Sequence, residues 1–176
     1  MPVRIESQYP PFTRDQIAGL EADLGYDFPP EYRHFLLATN VGTIATPSRH
    51  GRGPDAAGIS LLFGLCDDED RDLRAQRESY EGRIPDGFLA VGSDGGGNLI
   101  CLRISDGSVF FWDHEGEASG DDEPAMDNMR RIAATFTEFL KGIEEIPQKE
   151  LALDPKDVKS VWVDPEFLDS LRKPKR

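Results

Sequence analysis

Apolar runs and polar turns succeed one another between Phe88 and Glu115, in the stretch FLAVGSDGGGNLICLRISDGSVFFWDHE. Three apolar runs, Phe88–Gly92, Asn98–Ile104 and Ser108–Asp113, are separated by turns rich in Asp and Gly. Strand-forming residues joined through Asp-Gly punctuation predict a three-stranded antiparallel meander. In the second run Leu99, Cys101 and Arg103 point one way, and Ile100, Leu102 and Ile104 the other. In the third, Phe110 and Trp112 oppose Val109 and Phe111. Both faces are apolar, which places these strands at the centre of a sheet covered on both sides.

Helical periodicity flanks the meander. An extended lead-in ends at Pro10-Pro11. Thr13 and Gln16 then have the spacing of a capping box, Ile17, Leu20 and Leu24 follow at helical intervals, and Gly25 suits the residue after the helix. A second helix is expected from Pro30 to Thr39, with Tyr32, Phe35 and Leu36 inward and Leu37 widening that face. Gly42–Gly58, punctuated by Gly, Pro and Ser and carrying Arg49, His50 and Arg52, reads as an exposed loop. Ile59–Leu65 reads as a strand. Asp67–Arg83 reads as a charged helix with Leu73, Arg77 and Tyr80 inward, supported by Asp67→Arg71 and Asp70→Arg74 pairs.

Met129, Ile132, Phe136, Phe139, Leu140 and Ile143 form an apolar stripe that predicts one helix of more than four turns, capped by Asp127 and ended by Pro147. The tail offers a strand-like 158–163, a short helix at 165–171 and a frayed Lys-Pro-Lys-Arg end. The fold class expected is α+β: a single domain, residues 1–146, with a central, mostly antiparallel sheet flanked by helices. Residues 147–176 are expected to form a C-terminal extension packed on it.

Charge changes this picture from scaffold to surface. The net charge is −13, and residues 1–146 alone carry 13 basic and 27 acidic side chains, a net of −14. Such a surface repels nucleic acid and anionic lipid and attracts basic partners. No run has the roughly 20 apolar residues of a membrane helix, and the N-terminus lacks the layout of a secretory signal. Cys66 and Cys101, both in apolar contexts, fit reduced, buried side chains, hence a cytoplasmic location.

Candidate chemistry is sparse. Asp94-Gly95-Gly96-Gly97-Asn98 joins two strands, begins with an acid and lacks the lysine of a phosphate loop, so it reads as a turn. Glu31 and His34 have Glu-x-x-His spacing, but no second copy exists to complete a dimetal bundle. Asp113 and His114 are neighbours and diverge on a strand, so with Asp94 they make no evident ligand set. No nucleophile elbow is present, and Cys101 lies in mid-strand. No catalytic residue, metal or cofactor is assigned, and a hydrolase of unrecognised geometry stays the least favoured reading. The residues assigned to partner binding are the acidic segments Asp67, Asp68, Glu69, Asp70 and Asp72, and Glu115, Asp121, Asp122 and Glu123.

The order of features resembles the SUKH superfamily, which includes fungal cell-wall assembly regulators and many bacterial proteins. The resemblance runs from Thr13 to Glu145. It rests on Ile17-x-x-Leu20-Glu21-x-x-Leu24-Gly25, on Phe28-Pro29-x-Glu31-Tyr32-Arg33-x-Phe35-Leu36, and on Asn40-x-Gly42. It continues in Ala90-x-Gly92-x-Asp94-Gly95-Gly96-Gly97-Asn98 and Val109-Phe110-x-Trp112-Asp113-His114, and closes in Ile132-Ala133-x-x-Phe136-x-Glu138-Phe139-Leu140. One departure is Val41-Gly42, where the family often has Gly-Gly. The resemblance implies an α+β fold and a non-enzymatic role: an immunity protein that neutralises a cognate, nuclease-like toxin, or alternatively a regulatory module that binds a cellular partner.

Overall fold

A computed structural model of the protein describes residues 3–117, 124, 126–151, 156, 159–160 and 162–164. The elements of the first compact unit, Met1–Ile146, are β1 (Ile5–Glu6), α1 (Arg14–Leu24), α2 (Pro30–Ala38), β2 (Gly42–His50), β3 (Ala57–Leu62) and α3 (Leu73–Ser79), then β4 (Phe88–Ser93), β5 (Leu99–Arg103), β6 (Val109–Trp112), β7 (Met129–Ala133), α4 (Phe136–Gly142) and β8 (Ile143–Glu145). Strands β1 to β7 lie side by side in sequence order, each antiparallel to the next, and β8 pairs with β2. The architecture is α+β.

The meander forms as its apolar runs and Asp-Gly turns predict. Leu99 pairs with Trp112 and Leu102 with Val109, while Leu89 faces Leu102. Leu99, Ile100, Cys101 and Leu102 are all fully buried, so both faces of β5 are covered. Helices α2 and α4 meet through an aromatic cluster in which Tyr32 contacts Phe28 and Phe136 edge-on, and Tyr80, just past α3, packs edge-on against Trp112. Burying aromatic surface of this size contributes on the order of 2–3 kcal/mol per side chain.

Helix α1 starts as expected: Thr13 Oγ1 accepts the Gln16 N–H, the Gln16 side chain accepts the Thr13 N–H, and Gly25 closes the helix at φ +78°.

Three expectations are overturned. Gly42–Gly58 is no loop. Its first nine residues are β2, which bonds to three other strands. Pro47 falls within the register break between Thr43 and Ser48, where a missing N–H is tolerated. The charged helix is shorter than 67–83: it begins at Leu73, because Asp72 caps it with bonds from the N–H groups of Arg74 and Ala75.

The long helix at 129–143 does not exist. Its stripe is shared among strand β7, helix α4 and strand β8. The break falls at Thr135, whose side chain accepts the Glu138 N–H while the Glu138 carboxylate accepts the Ala134 N–H. Thr135-x-x-Glu138 is thus a helix start inside the stripe. Upstream of it, Met129–Ala133 completes the ladder that β6 would otherwise leave open.

The second compact unit, Pro147–Arg176, contains α5 (Gln148–Leu151). Of the strand expected at 158–163, the described residues Lys159, Ser160, Trp162 and Val163 have no regular structure. The helix expected at 165–171 and the basic end lie outside the described residues.

Candidate functional site

The acidic segment after β3 is built as a closed loop. The Gly64 N–H donates to Arg71 O (3.1 Å) and the Leu73 N–H to Gly64 O (2.7 Å), so the chain leaves and returns at one point. Asn40 pins that point to the corner between α2 and β2. Only 6% exposed, its Nδ2 donates to Leu65 O, and its Oδ1 accepts the N–H groups of Leu65 and Val41, all at 2.9 Å. A Cβ on Gly64 would lie 2.1 Å from Asn40 Oδ1 and 2.5 Å from the Val41 nitrogen, so only glycine fits.

On this base the five acids divide. Asp72 is buried, and its carboxylate holds Arg74 and the Cys66 N–H as well as the helix cap. Burial works against its charge, but the bonds from Arg74, Cys66 and Ala75 outweigh burial and hold its pKa below the ordinary value. Asp68 pairs with Arg71 at 3.0 Å, in place of the expected Asp67→Arg71 and Asp70→Arg74 pairs. Asp67, Glu69 and Asp70 are exposed, and their carboxylates have no hydrogen bond or ion pair among the described residues. A groove of about 360 Å³ runs between this loop and α1, floored by Leu20 and Leu65 and walled by Asp23, Asp67 and Arg74.

The second acidic segment is fixed by the Gly-rich turn. Asp94 accepts the N–H groups of Gly96 and Asn98 and the Asn98 side-chain amide. Asn98 Oδ1 in turn accepts the His114 N–H and lies 2.8 Å from His114 Nδ1. Asp113 caps the single 3-10 turn His114–Gly116 by accepting the Glu115 N–H, and Glu115 points into solvent. Asp94, Asp113 and His114 are therefore neighbours held by turn bonds. No group of three or more His, Cys, Asp or Glu side chains suited to a metal occurs among the described residues. Asp121, Asp122 and Glu123 lie outside the described residues. By the strand register, Leu62 at the end of β3 shares a row with Gly92, Ile100 and Phe111, next to the row of Trp112 at the end of β6, and the two strands run out of that level in opposite directions.

Outside the two segments, several charged side chains are engaged structurally. Arg52 makes a two-pronged bond to Glu144 (2.8 and 2.7 Å), with Arg49 3.6 Å from the same carboxylate. Arg83 does the same to Glu117 (2.6 and 2.8 Å) while lying over the Tyr80 ring. Glu31 accepts the Thr137 N–H, and His34 is exposed on α2. Burial pushes the Cys101 thiol well above its usual range, so it is an unreactive core residue. Both cysteines are free thiols. Among the described residues, no helix is long and apolar enough to cross a membrane.

A feature that sequence reasoning passed over lies between α1 and α2. Arg14, Ile17, Ala18, Glu21, Arg33 and Leu37 line a groove of about 430 Å³. Its sequence signal is Leu37, which widens the apolar face of α2 and packs against the edge of the core.

The family model described as SMI1 / KNR4 family (SUKH-1) matches residues 11–142, most of the chain. The chain is also similar to the SPbeta prophage-derived uncharacterized protein YokK of Bacillus subtilis (strain 168), at 28% identity over 153 residues, covering 77% of this chain and 76% of the relative.

Proposed function

The chain belongs to the SMI1/KNR4 (SUKH-1) family, and on that premise we propose that it is a non-enzymatic immunity protein that binds and neutralises a basic, nuclease-like toxin domain. The observation that carries this reading is the pinned loop with three exposed, unpaired carboxylates, Asp67, Glu69 and Asp70. An inhibitor of this kind works by occupying a basic substrate groove, with no bond made or broken. Fixed unpaired acids steer a cationic surface toward it and raise the encounter rate by orders of magnitude at low salt. Arg71, Arg74, Arg77, Arg83 and Arg103 are engaged by nearby carboxylates and add little opposing field. Glu115, together with Asp121, Asp122 and Glu123, supplies a second acidic contact. The protein acts in the cytoplasm without cofactor, its two thiols reduced.

The test is co-expression with toxin domains encoded beside the gene, scored by growth. Binding of the rescuing pair is then measured across salt, and again with Asp67, Glu69 and Asp70 reversed to Lys. Growth rescue, with affinity that falls steeply with salt and in the variant, supports the reading. Binding that is indifferent to both defeats it.

The family also includes fungal regulators, so the second reading is a regulatory module with a cellular partner. A pull-down from the native cell that returns a housekeeping complex, with no toxin, favours that one.

A further inference from the structure

The groove between α1 and α2 differs from the acidic loop: it sets two arginines and one carboxylate, Glu21, around an apolar floor. Its floor is apolar: Ile17 is buried, and Leu37 is half-buried on the groove side of α2. Its two cations are Arg14 and Arg33. Arg33 is held in place by Glu21, whose carboxylate is 11% exposed. One oxygen of Glu21 accepts the Phe28 N–H (2.7 Å), Arg33 Nε (3.1 Å) and Arg33 Nη2 (2.5 Å). A guanidinium fixed in this way is pre-organised and loses little freedom when it binds again. Asp27, 4.0 Å away and out in solvent, offsets its charge weakly.

Arg14 has no ion pair or hydrogen bond among the described residues. It stands at the first residue of α1, where the helix dipole favours an acid. A local preference broken on an exposed groove wall is where a functional demand is expected.

From this we infer that the groove receives a short acidic, apolar segment of a protein partner: an aliphatic or aromatic side chain on Ile17, Ala18 and Leu37, with a neighbouring carboxylate between Arg14 and Arg33. This rests on the reading that the chain binds a protein, and it adds the source of specificity. The acidic loop attracts any polycation. The groove repels a merely basic segment and accepts one of opposite character, which is discrimination by an unfavourable contact as well as a favourable one.

The experiment uses the full isotope-labelled chain in NMR titration with two peptides, acetyl-Glu-Leu-Phe-Glu-amide and acetyl-Gln-Leu-Phe-Gln-amide. The acidic peptide should produce saturable shifts confined to residues 14–21 and 33–37. The neutral peptide should bind at least fivefold more weakly, and Arg14→Glu should abolish the response to the acidic one. Equal binding of the two peptides, shifts centred on Asp23 and Asp67, or no shift at millimolar peptide would each overturn the inference.

A second arm separates it from the proposed function. Arg14→Glu should weaken a rescuing toxin domain at least tenfold, while the fall of affinity with salt that the acidic loop produces persists. Toxin binding that survives this change removes the groove and leaves the immunity reading intact. Peptide binding without any basic protein partner does the reverse.

Discussion

Helix α1 separates two grooves of similar size and contrary chemistry. On one side, about 360 Å³ is walled by Asp23, Asp67 and the Asp72-paired Arg74, and opens onto the unpaired acids of the loop. On the other, about 430 Å³ has an apolar floor between Arg14 and Arg33. Both are held by a single polar side chain at their base, but by different means. Asn40 ties the acidic loop through backbone bonds, so what it fixes is the path of the chain. Glu21 ties Arg33 through charge, so what it fixes is one guanidinium. The acidic side is a rigid platform for loosely held charge, suited to steering. The arginine side is a fixed charge beside an apolar seat, suited to selection.

The contrast breaks most severely at Gly64. Gly64→Ala drives a methyl group into Asn40 and the Val41 backbone, and should destabilise the protein by at least about 3 kcal/mol, measured by urea unfolding. Glu21→Gln leaves the apolar floor but loosens Arg33 and the Phe28 N–H. A loss of about 2 kcal/mol is expected, with acidic-peptide binding weakened more than stability.

Asp72→Ala removes the cap of α3 and should cost about 1–2 kcal/mol. The same residue sets an acid limit. Its pKa is depressed in the folded state, so its contribution is complete above the ordinary carboxylate value of about 3.9 and disappears as pH falls through the lower folded value. The melting temperature should therefore hold from neutrality down to about pH 5 and drop below about pH 4, with a shallower drop in Asp72→Asn. Smallest for the fold is the reversal of Asp67, Glu69 and Asp70 to Lys. Stability should stay within about 0.5 kcal/mol, while the association rate with a basic toxin domain falls at least tenfold at low salt and converges with wild type at high salt.

The sequence carried the parts of this arrangement whose signals are local. The apolar run Leu99–Leu102, the Thr13–Gln16 box and the Tyr32–Phe35–Leu36 face each need only near neighbours to be read, and each is observed. Residues 42–50 and 129–143 misled because their conformation is decided by distant strands. Thr, Pro and Ser in β2 look like punctuation until β3 and β8 supply the ladder. The 129–143 stripe fits a helix until the open edge of β6 claims its first third. At the candidate site, the exposed acids were legible as composition. The burial of Asp72 and the clamp of Glu21 on Arg33 were not, since both depend on which side chains the fold brings within 3 Å. The motifs that marked the resemblance prove to be supports: Asn40 and the Asp94–Asn98 turn each anchor one acidic segment.

Strands β1 and β8 both pair antiparallel with β2, and along the same edge of it. Ile5 stands opposite Ile44 and Glu145 opposite Ser48, and the Ile146 N–H bonds to Pro47 O. Read along β2, β8 and then β1 run in one direction, like a single strand cut in two. The gap of three β2 residues between Ile44 and Ser48 amounts to about 13 Å at the usual strand rise. In topological terms the unit is nearly a ring, its entry and exit meeting on one edge. A linker of a few residues from Ile146 to Arg4 should close that ring, so circular permutants opened in a surface loop should keep both grooves. Trimming either end unzips the same seam.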